Sequence, residues 1–424
     1  MSVAKGTTMY KARAKNALDF ASGIIDAFGP RLAGSDACAK AAGALRERLE
    51  SVCGSATIED FEVHPGAFLG FIKVLVVAYG TAAACLAFAP LVSAILGSAS
   101  MVVLVFGFLL YREVLDPFFP RREGHNVVGV LEPSGEVKRQ LILSGHHDSA
   151  RIFNFYIDRP ELYARRINGG IGSVAALWLA SIIVALVSGL AIGTPLFGFD
   201  ILRAAAALLF LALLPLVLPL WKFASNEGTP GAGDNLAASA IALEIMAEFA
   251  KRRDEGRGLV HTRLVFASFD AEEAGLRGAR AFAKRRKAEF ATLPSYGYNM
   301  DCVYALSDLS MLESDLNGSI KLDKEATGRL AALAAGEGLP SKTKPIAFLT
   351  GGTDAAELAA AGVHATSVIA MQWGNDARSS SYHTPRDMID AVDPAAVEAL
   401  IRLGTRFAES LDEGSPMEKV EAAQ

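Results

Sequence analysis

The stretch 264-LVFASFDAEEAGLRGARAFA-283 decides how the chain can be organised. It opens with an apolar run, and apolar residues return at helical spacing after a charged cluster. This pattern predicts a buried strand, then a turn that carries Glu272 and Glu273, then a helix. Because adjacent side chains on irregular backbone diverge, one carboxylate could bind a metal ion while the other faces the water that the ion activates. For an isolated Glu-Glu pair the alternative is a solvated helix start, which the helix dipole favours.

The composition excludes nucleic acid as a partner. Hydrophobic residues make up 51% of the 424 residues, and the formal net charge is −5, so there is no basic footprint for a nucleic acid. The four cysteines form no CxxC pair, which is typical of free thiols in a reducing compartment. A disulfide between Cys38 and Cys53 is the alternative.

A first apolar block runs from Ala67 to Leu110, with Lys73 as its only ionised residue. The block is about twice as long as the roughly 20 residues that a helix needs to cross a bilayer. It therefore predicts two transmembrane helices that turn near Ala89-Pro90. A buried hairpin in a soluble core is the alternative.

A second apolar block runs from Ile171 to Trp221 and is broken at Gly193-Thr194-Pro195. It predicts two further spans, at Ile171–Ile192 and Ile201–Trp221. Pro215 and Pro219 lie in the last of these, where a kink is tolerated better than in a soluble helix. The same core hairpin is the alternative here.

Outside these blocks, strands alternate with helices, which predicts an α/β domain with a mixed sheet flanked by helices. Residues 125–132 and 140–145 look like a pair of neighbouring strands. The predicted catalytic domain is discontinuous, because the apolar blocks interrupt it twice. It comprises residues 1–66, 112–170 and 222–411, with transmembrane hairpins at 67–111 and 171–221 and a polar tail at 412–424.

Carboxylate and imidazole side chains stand where predicted strands end. In α/β sheets, sites form outside the carboxyl ends of strands, so positions far apart in sequence can converge. Each residue alone has an ordinary alternative: a core histidine, a helix cap, a turn residue or a surface histidine. The set is His146, Asp234, Glu272, Glu273, Asp301 and His383.

In this order the motifs resemble the M28 family of zinc peptidases, which includes metal-dependent aminopeptidases. The resemblance extends over nearly all of the chain outside the two apolar blocks. One such motif would be weak evidence, but the ordered set is specific. The motifs are Gly29-Pro-Arg-Leu-Ala-Gly-Ser, the His-x-Asp of His146 and Asp148, the Gly-x-x-Asp-Asn that ends at Asn235, Glu272-Glu-Ala-Gly-Leu-Arg-Gly, Asn299-Met-Asp and Tyr382-His-Thr.

The resemblance implies two zinc ions about 3.5–4 Å apart, as in other two-metal hydrolases. Asp234 would bridge the ions. His146 and Asp301 would complete the ligands of one ion, while Glu273 and His383 would complete those of the other. Imidazole and carboxylate suit zinc, and this set offers no thiolate.

The resemblance also implies catalytic roles for two carboxylates. Glu272 would be the general base that takes a proton from the shared water and passes it to the leaving amine. Asp148 would hold His146 in the tautomer that binds metal. Family members often have a cis peptide after the bridging aspartate, so we expect one at Asp234-Asn235.

The chain departs from the family pattern at two places. Ala237-Ala238 stand where Ser-Gly is usual, and His147 fills the middle of the His-x-Asp motif. His147 could compete for metal, but the alternation of side chains along a strand places it on the face opposite His146. We therefore predict His146 as the ligand.

These features together predict a membrane-integral dizinc exopeptidase, an aminopeptidase that hydrolyses N-terminal residues from peptides. A C-terminal exopeptidase or an amidohydrolase that acts on membrane-associated substrates is one alternative. Glutaminyl cyclase, a relative that uses one zinc ion, fits less well because the five ligands are intact. A non-catalytic scaffold would predict lost ligands. No oligomeric state is predicted.

The sheet constrains the membrane topology. His146 and Asp234 must meet at one site, so the chain between them crosses the bilayer an even number of times, and the soluble segments share one side. The positive-inside rule then places this side in the cytoplasm, with the outward orientation as the alternative. The basic flanks are Arg112, Arg121, Arg122, Arg165, Arg166 and Lys222.

About a dozen residues separate the end of the second hairpin from Asp234. At roughly 3.6 Å per residue, Asp234 can therefore lie no more than about 45 Å from the bilayer. We therefore hypothesise an active-site mouth that faces the bilayer and receives hydrophobic or membrane-derived peptides.

Overall fold

The computed structural model describes residues 2–190, 200–374 and 379–413. The chain divides into two compact units. The sheet unit comprises Met1–Val63, Arg121–Ile152 and Glu227–Gln424, and the helical unit comprises His64–Pro120 and Phe153–Asn226. The predicted tail at 412–424 lies outside the described residues from position 414 onward.

The described residues form eleven β-strands. They are β1 Ala56–Val63, β2 Arg122–Leu131, β3 Arg139–His146, β4 Arg151–Phe153, β5 Ala224–Gly228, β6 Thr262–Phe269, β7 Ser295–Val303, β8 Leu309–Asp315, β9 Ile320–Lys321, β10 Lys342–Pro345 and β11 His364–Ala370.

The α-helices are divided between the two units. They are α1 Ser2–Phe28, α2 Asp36–Cys53, α3 Pro65–Cys85, α4 Pro90–Val102, α5 Asn154–Ile157, α6 Tyr163–Leu190, α7 Ile201–Ala212, α8 Leu214–Val217, α9 Ala237–Asp254, α10 Arg277–Phe290, α11 Lys324–Gly336, α12 Ala355–Ala360 and α13 Pro394–Asp412.

The sheet unit is built on a mixed sheet of nine strands in the described residues, ordered β1-β2-β6-β3-β7-β11-β8-β10, with β9 paired to β8. β3 lies parallel to both β6 and β7, so the carboxyl ends of these three strands share one edge. Every residue of β3 is buried, as expected for a strand covered on both faces. The predicted mixed α/β fold is thereby confirmed.

The predicted pairing of the second and third strands is wrong. β6 lies between β2 and β3, antiparallel to the first and parallel to the second. The apolar pattern of a strand shows which faces it buries but not which strand lies beside it. Here the buried strand β6 from later in the chain occupies the position between them.

Helix α9 begins at Ala237, shortly after Asp234-Asn235. It packs on β3. A Cβ atom added to Gly145 would lie 2.7 Å from the Cβ atom of Ala238, so only glycine permits this approach of strand and helix. The helix is buried along most of its length, and α1 and α13 pack beside it. The segment that carries Asp234 is therefore held against the end of β3.

In its described residues, the helical unit contains four helical stretches that are long and apolar enough to cross a membrane. They are Pro65–Cys85, Pro90–Leu109, Pro160–Ser188 and Ile201–Lys222. The first two meet at the predicted turn near Ala89-Pro90, where proline starts the second helix. The predicted turn at Gly193-Thr194-Pro195 lies outside the described residues.

The fourth stretch is not one regular helix. α7 ends at Ala212, α8 covers only Leu214–Val217, and a 3-10 segment follows to Lys222. Pro215 and Pro219 stand at the starts of the two short pieces. Proline lacks the N–H that would continue the helical ladder, so the predicted kinks appear as breaks.

Candidate metal centre

Parallel strands bring the predicted ligands to one edge of the sheet. β3 ends at His146, and β7 carries Asp301 near its carboxyl end. β6 ends at Phe269, directly before the turn that holds Glu272 and Glu273. Since β6 and β7 flank β3 in parallel, their carboxyl ends meet, as is usual for sites in α/β sheets.

Two groups of possible metal ligands share Asp234. The first contains His146, Asp234 and Asp301, and the second contains Asp234, Glu273 and His383. Within each group the ligand atoms lie within 4.8 Å of one another. These are the two ligand sets that the family resemblance implies, with Asp234 between them.

The two oxygens of Asp234 face different histidines. Its Oδ1 lies 3.3 Å from His146 Nε2, and its Oδ2 lies 2.9 Å from His383 Nε2. His383 Nε2 also lies 3.2 Å from Glu273 Oε1. A carboxylate with one oxygen toward each ligand set is suited to bridge two cations. The peptide bond Asp234-Asn235 is cis, as the resemblance implies.

The residues fit a pair of divalent cations. Among the described residues, His146 Nε2 and Asp234 Oδ2 are buried without a hydrogen-bond partner, although buried polar atoms are almost always paired. The contacts of Asp234 with His146 and His383 bring these atoms close without the alignment of a hydrogen bond. Nitrogen and oxygen ligands of this kind suit zinc.

The pKa values of the ligands reflect burial and mutual charge. Burial would raise the pKa of Asp234, but the close imidazoles of His146 and His383 hold it well below its usual value. Burial would lower the pKa of His383, but the charge of Glu273 and contacts with Asp234 raise it to about 9. Burial raises the pKa of Asp301 to about 7. The site thus holds excess negative charge that a cation would neutralise.

Glu272 lies at the rim of the first ligand set. Its Oε2 is 3.7 Å from His146 Nε2, and its side chain is largely buried. Burial raises the pKa of Glu272 well above the usual value, and the charges of Glu273 and Asp301 add to this effect. A carboxyl in such surroundings can retain a proton that it takes from a neighbouring water.

Asp148 contacts both His146, a predicted ligand, and the turn that carries Glu272 and Glu273. Its Oδ1 lies 3.2 Å from His146 Nδ1, at the place that the resemblance implies. In addition, its two oxygens accept the backbone N–H groups of Glu272 at 3.1 Å and Glu273 at 3.2 Å. Asp148 is therefore placed to orient three members of the site at once.

We expect Asp148→Asn to weaken zinc binding by about 10–100-fold, as for other residues that orient ligands. Asparagine has the same shape but only one acceptor oxygen and no charge, so His146 and the turn lose part of their support. Chelator competition with the purified protein measures the affinity. Asp60→Asn, at an exposed carboxylate of β1, is the matched control, and equal zinc affinity in both variants would contradict this role.

Asp387 is a site residue that the sequence did not reveal. Its Oδ1 accepts the N–H of Gly233 at 2.8 Å, and its Oδ2 accepts the N–H of Asp234 at 3.3 Å. Burial raises the pKa of Asp387 to about 7, and the charge of Asp234 adds to this rise. The only signal in the sequence is its position shortly after the Tyr-His-Thr motif. Asp387 fixes the backbone that presents Asp234.

Arg31, within the first family motif, is fully buried and binds backbone carbonyls rather than carboxylates. Its guanidinium donates to Gly29 O, His147 O, Pro230 O and Gly231 O at 2.8–3.0 Å. These carbonyls belong to three separate segments around the site. Arg31 therefore joins the first loop, the end of β3 and the loop before Asp234.

We expect Arg31→Met to lower the free energy of unfolding of the sheet unit by at least about 3 kcal/mol. The substitution leaves several buried carbonyls unsatisfied, at roughly 1–3 kcal/mol each. Urea unfolding of the detergent-purified protein, monitored by far-ultraviolet circular dichroism, measures the change in the free energy of unfolding. Arg257→Met, at an exposed position, is the control, and equal stability of the two variants would contradict the structural role.

His147 lies apart from both ligand sets, in a separate buried group with Cys38 and Asp270. This placement agrees with the alternation along β3 that favoured His146. Cys38 and Cys53 are free, so the disulfide that the sequence left open is not formed.

The comparisons with known proteins agree with this geometry. Residues 221–407 match the model of Peptidase family M28. No curated protein sequence matches the chain.

Solved structures share the fold. A zinc aminopeptidase from Bacillus subtilis superposes with a TM-score of 0.54 at 15% identity, over 95% of this chain and 96% of that one. A Zn-dependent exopeptidase from Parabacteroides distasonis gives 0.53 at 13% identity, over 93% and 97%. A glutaminyl cyclase from Porphyromonas gingivalis gives 0.54 at 13% identity, over 95% and 98%.

Identities this low establish the common fold and not a common reaction. The family match and the fold support a metallopeptidase-like hydrolase. The predicted resemblance is therefore confirmed: residues 221–407 carry the sequence signature of Peptidase family M28, and the chain has the fold of solved zinc-dependent exopeptidases.

Proposed function

We propose that the protein is a membrane-integral dizinc exopeptidase, an aminopeptidase that removes N-terminal residues from peptides. The observation that carries this proposal is the pair of ligand sets that share Asp234, with Glu272 beside them. The M28 match supports zinc as the metal. Bound zinc would polarise the scissile carbonyl and make a bound water more acidic.

The residues of the chain have distinct parts in this reaction. Glu272 takes a proton from the attacking water, because its carboxylate lies beside the first ligand set, with Oε2 3.7 Å from His146 Nε2. The same carboxyl then donates the proton to the leaving nitrogen, as a general base and acid acting in turn. Asp148 and Asp387 keep His146 and Asp234 in position through the contacts described above.

Glutaminyl cyclase chemistry is the second candidate, because a cyclase is among the structures with this fold. Glutaminyl cyclases are relatives that use one zinc ion, as the family resemblance implies. Here the described residues offer two complete ligand sets, which favours the two-metal hydrolase. A scaffold without activity is disfavoured for the same reason.

The surface of the helical unit supports membrane integration. Large apolar side chains are exposed on its helices, among them Ile201, Leu202 and Leu208, at 76%, 78% and 67%. Contiguous apolar surface of this kind is rare on soluble monomers and marks a membrane or partner contact. Lys73 lies 5.7 Å from the ring of Trp221, a pairing typical of an interfacial anchor.

The orientation and the substrate are part of the same proposal. The basic flanks of the predicted spans favour a cytoplasmic sheet unit by the positive-inside rule. The short link between the last span and Asp234 favours hydrophobic or membrane-derived peptides as substrates.

The test is a substrate panel with the zinc-loaded, detergent-purified full chain. We expect hydrolysis of aminoacyl amides with a free N-terminus and none of their N-acetylated counterparts. Hydrolysis of both would favour the amidohydrolase alternative, and cyclisation of a glutaminyl peptide without hydrolysis would favour the cyclase. Absence of any turnover in zinc-replete protein would contradict the enzymatic proposal.

A further inference from the structure

Three buried side chains outside the candidate centre form another group of possible metal ligands. Cys38 lies in α2, His147 follows β3, and Asp270 follows β6. Their ligand atoms lie within 4.8 Å of one another, and all three residues are fully buried. His147 and Asp270 each follow the last residue of a neighbouring parallel strand, so the group sits at the same sheet edge as the candidate centre.

The hydrogen bonds around His147 define its tautomer. Ser239 Oγ donates to the carbonyl of His146 at 3.1 Å, because a carbonyl can only accept. The bond of 2.7 Å between Ser239 and Ser268 must then use the hydroxyl proton of Ser268. Ser268 Oγ therefore accepts from His147 Nδ1, which lies at 2.9 Å. The proton is on Nδ1, and Nε2 carries a lone pair.

His147 Nε2 is buried and has no hydrogen-bond partner among the described residues. Buried polar atoms without a partner are rare and call for an explanation such as an ion. A histidine that donates one ring nitrogen to a neighbour and leaves the other as a free acceptor has the arrangement usual for a metal ligand.

Asp270 is oriented in the same manner. Its Oδ1 accepts the N–H of Gly34 at 3.3 Å, and its Oδ2 accepts the N–H of His125 at 3.0 Å. These backbone donors fix the plane of the carboxylate and leave each oxygen a further lone pair. The group thus contains two oriented ligands and one thiol.

We propose that Cys38, His147 and Asp270 bind a further divalent cation of the zinc type through Sγ, Nε2 and a carboxylate oxygen. A thiolate with imidazole favours zinc over magnesium or calcium. Binding forms the metal–sulfur bond and releases the thiol proton of Cys38 to solvent. The second oxygen of Asp270 or a water completes the coordination.

The charges around this site permit a cation. The thiolate and the carboxylate together neutralise a divalent ion. The guanidinium of Arg31 is a positive charge that acts on Cys38 and His147. It donates to the carbonyl of His147 and to three other carbonyls, whose dipoles partly offset its charge. The bound ion would fasten α2 to the ends of β3 and β6, the strands that present His146 and the Glu272-Glu273 turn.

The experiment is cobalt substitution in the detergent-purified full chain. Cobalt bound by a thiolate has a near-ultraviolet charge-transfer band, whereas the candidate centre offers only nitrogen and oxygen ligands. We expect this band in the wild type and in Cys53→Ser, the matched control at a second free cysteine of α2. We expect Cys38→Ser to lose the band and one bound cobalt ion.

Zinc X-ray absorption of the wild type gives a measurement that depends on no variant. It should show a sulfur neighbour at about 2.3 Å. Absence of sulfur at the metal in the loaded wild type, or a band that persists in Cys38→Ser, would overturn the proposal. A failure of the dizinc centre would instead lower the total metal content and leave the sulfur signal unchanged.

Discussion

Replacement of Asp234 by alanine is expected to remove both ions of the candidate centre and to bring hydrolysis to background. Among the described residues Asp234 alone belongs to both of its ligand sets. Without it, His146 and His383 lose the carboxylate that lies 3.3 Å and 2.9 Å from their Nε2 atoms. Neither set retains enough ligands to hold zinc with three protein donors.

Elemental analysis and the aminoacyl-amide assay measure this effect together. Asp254→Ala is the matched control, because Asp254 ends the same helix that follows Asp234 but has an exposed side chain. The control should keep its metal and its activity. An Asp234→Ala protein that retained the metal content of the wild type would show that this aspartate is no bridge.

Replacement of Glu272 by glutamine is expected to lower kcat by about 10²–10⁴-fold, the range typical of a general base. Glutamine matches glutamate in shape but cannot take a proton at neutral pH. Glu272 also lies close to His146 and Glu273 but belongs to neither ligand set that shares Asp234, so with Glu272 as the base the metal content should not change. Steady-state kinetics and metal analysis of the same preparation test both parts.

The neighbouring residue provides the contrast. Glu273 lies in the second ligand set, 3.2 Å from His383 Nε2, so Glu273→Gln should lose metal as well as activity. Loss of Glu272 should therefore remove the base but leave the metal, whereas loss of Glu273 should remove a metal ligand. An unchanged rate in Glu272→Gln would refute its role as the base.

Much of the site follows from rules that act along the sequence. Apolar runs that end in polar residues place His146, Asp301 and the Glu272-Glu273 turn at the ends of strands. Parallel strands then bring those ends together. The period of a strand also separates His146 from His147, because alternate residues face opposite sides.

Other features depend on contacts between distant segments, which no local pattern contains. The place of β6 between β2 and β3 and the contacts of Asp387 with Gly233 and Asp234 are examples. Backbone with positive φ also adjoins the ligands, at Ala271, Cys302 and His383. Non-glycine residues rarely adopt this conformation without tertiary support, so sequence propensity could not indicate it.

The apolar helices were predictable for a different reason. Length and lack of charge alone define a candidate span, so four stretches appear where the two apolar blocks lie. Their ends were less predictable, since proline breaks the fourth stretch into shorter pieces.

The most direct test of the central claim is anomalous diffraction at the zinc edge from crystals of the full chain. We expect two peaks about 3.5–4 Å apart, both within bonding distance of Asp234, in addition to any peak at the separate group of Cys38, His147 and Asp270. Fewer than two peaks within bonding distance of Asp234 would contradict the dizinc centre.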